Sequence, residues 1–274
     1  FCRQMYEKND LPAGTFDGNL TFAQALTEAI KASPEALLVA SLPQSSIEVG
    51  GEGGLEALKR LEDTFARLEF NWQPANQDES YEIVRRRLFE PIPVEQEPAK
   101  DAVVSEFASA YTSNQGDFPE ECRELSYQHK LSNAYPIHPE VFDRLYNDWS
   151  RLEQFQRTRG VLRLMAATIH QLWLREDRSL MIMPCHVCLD EQEVRDELTR
   201  HSGTAKAHWD TIIQHDIDGP NSIPKQLDSN TPRYGKVSAA RRVARTIFVG
   251  SAPVGDSHGR GIDIRRVRLG CVQP

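Results

Sequence analysis

Ala36-Leu37-Leu38-Val39-Ala40-Ser41-Leu42, closed by Pro43, is the stretch that decides the fold. A short apolar run bounded by prolines predicts a strand buried on both faces, as in a parallel sheet. On its N-terminal side, residues 20–30 place Phe22, Leu26 and Ile30 at helical spacing, and Pro34 ends the pattern. On its C-terminal side, Gly50-Gly51-Glu52-Gly53-Gly54 predicts a flexible loop, and Leu55, Leu58, Leu61 and Phe65 predict a helix. Leu68, Phe70 and Trp72 then alternate with polar residues up to Pro74, the two-residue period of a strand. Residues 78–89 are helical again. Helix, buried strand, helix, strand, helix predicts an α/β fold with a mostly parallel sheet.

After Pro91 the pattern changes. Pro91, Pro93 and Pro98 beside Glu95 and Glu97 mark a linker, and almost everything beyond has helical period. Pro139 with Phe142, Leu145, Tyr146 and Trp149 predicts one helix, with proline in its first turn. Leu162, Met165, Ile169, Leu172 and Trp173 predict another. Residues 180–183 predict a short strand. Residues 190–201 and 205–215 predict helices, and Asp218-Gly219-Pro220-Asn221 predicts a break. Residues 237–248 predict a basic helix with Ala240, Val243 and Ile247 turned to the core, and Asp263 predicts the cap of a further one. The expected division is 1–92 as α/β core, 93–178 as a helical lid, and 179–274 as an incomplete helical, winged-helix-like region.

The chain has 274 residues and a net charge of −8. Its longest uninterrupted apolar run is five residues, 36–40, far short of the ~20 that span a bilayer. Neither a secretory signal nor a membrane anchor is visible, and the five sparse cysteines suit a reducing compartment, so a soluble, cytoplasmic protein is expected. The charge is uneven: from residue 233 onward nine Lys/Arg stand against two Asp/Glu. Such a basic end either docks on phosphates or nucleic acid, or pairs with the acidic remainder. The chain starts Phe1-Cys2-Arg3 without methionine, and its last residues open a new periodic segment, so a fragment of something longer is expected.

Cys185-His186-Val187-Cys188 supplies half of a zinc site and has no second half in the sequence, so no metal is expected there. The glycines at 50–54 lack the lysine and Ser/Thr that complete a phosphate loop. Arginines are more informative: Arg60, Arg67, Arg85-Arg86-Arg87, Arg157, Arg159 and Arg163 fall near element ends, where fixed guanidinium forks suit a triphosphate.

Several stretches carry a family likeness, chiefly 22–29, 38–43, 83–89, 135–139, 155–166, 218–222 and 239–247. The sequence resembles the large AAA-type ATPases of bacterial phage-defence islands, an uncharacterised family related to phage-growth-limitation and BREX-system ATPases. The resemblance implies the second half of a P-loop core, followed by its lid and the start of a winged helix. Walker A and Walker B motifs are absent from the chain. Leu37–Ser41 would be a sensor-one strand with Ser41 or Gln44 reaching the attacking water or the γ-phosphate, Arg60 or Arg67 would be the arginine finger, and Arg163 the lid sensor. ATP and Mg2+ would belong to the longer parent, with neither bound by this segment alone. A homo-oligomer follows, with DNA or a defence-system protein as further partner and no membrane. The alternative is a nucleic-acid-binding module using Arg241, Arg242 and Arg245, with no nucleotide role.

Overall fold

The computed structural model describes residues 14–40, 52–65, 77–149, 157–199, 206–251 and 261–274. The chain divides into two units, Phe1–Pro74 and Ala75–Pro274. In the first, α1 spans Phe16–Lys31 and α2 spans Glu52–Phe65. Thr15 caps α1 by accepting from the Gly18 amide at 3.2 Å, and Asp17 and Lys31 sit at the ends that the helix dipole favours. Phe16 and Ala57 are buried, with Leu20 and Leu61 against them.

No strand occurs among the described residues, which overturns the expected parallel-sheet core and the α/β class. Residues 36–40 are irregular, with Leu37 and Val39 85% and 79% exposed. A doubly buried strand would cover both. Prolines on either side of an apolar run fix extended backbone without supplying a partner to pair with. The sensor-one strand read there is therefore absent over 36–40, whereas the strand read at 68–72 lies outside the described residues. Glu52, Gly53 and Gly54, read as loop, form the first turn of α2.

The second unit is helical. Its elements are α3 (Gln77–Leu88), α4 (Glu97–Ser113), α5 (Leu125–Ala134), α6 (Pro139–Asp143) and α7 (Arg157–Leu174). They continue with α8 (Gln192–Thr199), α9 (Lys206–Ile212), α10 (Ile223–Asn230), α11 (Pro232–Gly235), α12 (Ala239–Ser251) and α13 (Ile264–Cys271). α6 and α9 run on into π-helical turns at Arg144–Asp148 and Ile213–Ile217. Where a strand was expected at 180–183, Ile182 makes one isolated parallel bridge to Ile137. No strand pair that could form a wing is present among the described residues.

The larger core gathers Tyr81 and Val84 of α3, Phe142 and Leu145, Val161, Leu164 and Met165 of α7, and Phe248 and Val249 of α12. Tyr81 stacks on Phe142 with centroids 4.6 Å apart, and the Trp149 indole donates to the Val249 carbonyl at 2.7 Å. Burying each such side chain stabilises by about 1.5–3 kcal/mol, which is how short helices hold here without a sheet. Trp173, expected on the core face of α7, is exposed instead.

A smaller core joins Phe107 and Tyr111 of α4 to Tyr127 and Leu131 of α5, Met181, Met183, Cys185 and Leu269. His138 stands between the two cores, fully buried. Its Nδ1 accepts the Glu140 amide at 3.2 Å, capping α6, so its Nε2–H faces the Tyr111 hydroxyl at 2.9 Å. Burial, then the nearby Lys130 charge, pushes this imidazole down to about 3. Glu140 is buried between Arg144 (3.0 Å) and Arg266 (2.9 Å); desolvation raises its carboxyl to about 7 against the pull of both.

Candidate functional site

The basic segment folds onto the acidic body. On α12, Arg241 and Arg245 are four residues apart and share one face, and that face points inward. Arg241 donates from Nε to Asp218 (2.7 Å) and from Nη2 to Asp190 (3.0 Å). Arg245 repeats the pattern at 2.6 and 3.0 Å, and its Nη1 reaches the Cys185 carbonyl at 3.4 Å. Arg175, just after α7, donates to Asp190 at 2.9 Å and Glu191 at 2.7 Å. Three guanidinium groups thus meet three carboxylates. Asp228 caps α12 through the amides of Ala240 (2.9 Å) and Arg241 (3.2 Å).

The two central aspartates differ in depth. The Asp218 side chain is 0% exposed, and burial pushes its carboxyl up against the pull of Arg245 and Arg241. Asp190 lies nearer solvent; desolvation opposes its ionisation, but Arg245 and Arg175 hold it below the usual carboxylate range. Asp218 also accepts the Asp190 amide at 2.8 Å, fixing one loop to the other.

Asp218 is placed by the turn that follows the second π-helical turn. There a Cβ on Gly219 would fall 1.9 Å from the Gln214 carbonyl oxygen, a backbone atom with no room to retreat. Gly219→Ala is expected to destabilise by about 3 kcal/mol, the upper range of overpacking costs. Urea unfolding measures this, and a loss below about 0.5 kcal/mol would contradict the tight turn.

Arg242 takes part in none of these ion pairs. It lines a cavity of about 290 Å³ with Lys236, Ser238, Leu172, Asp177 and Cys185, a space that Arg175, Arg241 and Arg245 also border. Neither Arg242 nor Lys236 makes a side-chain hydrogen bond or close ion pair among the described residues. The Arg242 charge is still felt locally. Asp177 has its carboxyl held below its ordinary value, against desolvation, first by bonds from Ser179 and then with help from the Arg242 charge. His186 is a buried neutral ring: Nδ1 accepts the Met183 amide at 2.9 Å and Nε2 faces the Ser179 hydroxyl at 3.1 Å. Burial first, then Arg242, takes it down to about 4.

Among the other sequence-derived candidates, Arg60, Arg85, Arg86 and Arg163 are ion-paired. Arg60 pairs with Asp17 at 2.5 Å and lies over the Phe16 ring. Arg163 donates to Glu197 at 2.9 Å. Ser41, Gln44 and Arg67 lie outside the described residues. Arg85 and Arg86 both approach Glu82. Cys185 and Cys188 are buried free thiols, the first pushed up to about 12 by desolvation and the second also raised. No group of three or more His, Cys, Asp or Glu able to hold a metal occurs among the described residues.

The expected orientation of α12 is reversed. Val243 and Ile247, read as core-facing, are 38% and 42% exposed, and Arg245 is buried. Asp190 and Asp218 were missed as its partners. The only local signal was the Asp218-Gly219-Pro220-Asn221 break, which fixes a carboxylate in a tight turn.

No helix among the described residues is long and apolar enough to cross a membrane. Comparison with curated proteins gives no match, and comparison with solved structures gives none. The family model described as the DUF499 second domain matches residues 75–259, which start where the helical unit starts. The chain belongs to the DUF499 second-domain family.

Proposed function

We propose that this chain is a helical module of a larger ATP-using protein and that it holds a phosphate-bearing ligand in the cleft of Arg242 and Lys236. One observation supports this above the rest. Arg241, Arg245 and Arg175 are matched by carboxylates, whereas Arg242 and Lys236 enter a concave space without such a match. A guanidinium fork with a neighbouring ammonium is a donor set suited to phosphate oxygens. The resemblance to AAA-type ATPases of phage defence supplies the nucleotide. Hydrolysis, Mg2+, a homo-oligomer and any remodelled DNA or protein partner belong to the longer protein.

Two charged contacts without a phosphate loop support weak binding, a Kd on the order of 1 mM. Calorimetric titration of the 274-residue chain with ATP at low salt is the test. Saturable heat near that range agrees with the proposal; no heat up to about ten times that concentration rejects it.

A further inference from the structure

We infer that the cleft takes the terminal phosphate of a monoester, the end of a nucleotide or a 5′-phosphorylated strand, in preference to the phosphodiester of a continuous backbone. This rests on the phosphate-binding reading above and narrows it to a ligand class.

The donors facing the cleft set the preference. Arg242 offers a two-pronged fork, Lys236 an ammonium and Ser238 a hydroxyl, all lining one cavity. A monoester end presents three free oxygens to such a group, and a diester presents two, flanked by chain on both sides. The space is about 290 Å³, walled by Leu172 and the Pro184–His186 turn, which admits an end more readily than a through-running strand. A duplex backbone would need a continued basic strip along α12. Arg241 and Arg245, the residues that would continue it, are turned onto Asp190 and Asp218 instead.

Charge within the cleft is accounted for in the same way. Asp177 is the carboxylate on its wall, and it accepts the Ser179 amide at 2.9 Å. His186 contributes no charge at neutral pH, because both of its ring nitrogens are engaged as the neutral tautomer. Arg175, Arg241 and Arg245 also border the cavity, but their guanidinium groups are bonded to Asp190, Glu191 and Asp218, so recognition falls to Arg242 and Lys236, with Asp177 setting an upper limit on affinity.

The test is calorimetry on the full chain with methyl phosphate and dimethyl phosphate, which differ by one methyl group on an oxygen. Methyl phosphate should bind at least about tenfold more tightly, the value of one charge-assisted hydrogen bond. Arg242→Gln should remove about that factor for methyl phosphate, and Lys236→Gln, at an exposed position, should weaken it several-fold without risk to folding. Asp177→Asn should tighten it. ATP and a 5′-phosphorylated single strand, compared with its unphosphorylated twin, distinguish the two sources of the end; tighter binding of either phosphorylated probe supports the inference. Equal affinity for the two methyl esters, or affinities that neither Arg242→Gln nor Lys236→Gln changes, overturns it. If ATP binds and those variants weaken it while the two methyl esters bind alike, only this inference falls; if ATP binds while those variants are silent, the placement of the ligand in this cleft falls with it. If no phosphate compound binds at all, the broader reading falls with it.

Discussion

Asp218→Ala is expected to cost the 75–274 unit about 3–5 kcal/mol, the loss typical when one partner of a buried ion pair is removed. Its carboxylate is fully buried and is shared by Arg241 and Arg245, so truncation leaves two guanidinium groups short of charge and the Asp190 amide without its acceptor. For a unit of this size that corresponds to a fall in Tm of roughly 10 °C. Urea unfolding of wild type and variant reads it. Adding Arg241→Met and Arg245→Met should restore part of the loss, because the cations stranded by the first change are then gone. A loss under about 1 kcal/mol for Asp218→Ala alone would show that the cluster is not the lock that α12 requires.

The second large effect is an acid sensitivity carried by two histidines. His138 and His186 are held neutral down to about 3 and 4, chiefly by burial, whereas an unfolded histidine takes its proton near 6.5. As pH falls below about 6.5 the unfolded chain therefore binds protons that the folded chain refuses, and stability drops until the folded values are reached. Between pH 7 and pH 5 each ring contributes a loss of about 2 kcal/mol. Glu140, raised to about 7, works in the opposite direction, since the folded state takes up its proton first as pH falls. The comparison that isolates the histidines is wild type against His138→Asn/His186→Asn, in which the amide oxygen keeps the acceptor for Glu140 or Met183 and Glu140 is common to both. The wild type should lose about 4 kcal/mol more over that interval than the double variant. Equal pH dependence would mean that the rings are reached by solvent.

What the sequence made legible was local. The helical period at 55–65, 78–89 and 162–173, the stop at Pro34 and the Asp263 cap are each written in residues a turn or two apart, and the structure has helices there to within a few residues at their ends. The class failed on residues 36–40. A short apolar run has no period long enough to separate a strand from irregular extended chain, and only pairing partners decide. The face of α12 failed for a different reason. Its apolar spacing favours Val243 and Ile247 inside, but two carboxylates at Asp190 and Asp218 offer more to the opposite face once both are desolvated. Those partners lie between 23 and 55 residues upstream, beyond any helical window. The π-helical turns had no sequence signal at all. The cleft was half legible: Arg242 was singled out, but as one of three equivalent arginines, and its difference in pairing from Arg241 and Arg245 depends on which side of α12 is buried.

That difference in pairing is what the whole account depends on, and arginine-directed modification with phenylglyoxal, mapped by peptide mass spectrometry with and without saturating ATP, tests it directly. Arg242 should be modified early and be protected by ATP, while Arg241 and Arg245 stay unmodified until the chain is unfolded. Modification of Arg241 and Arg245 at the rate of Arg242, or no protection of Arg242 by ATP, would contradict it.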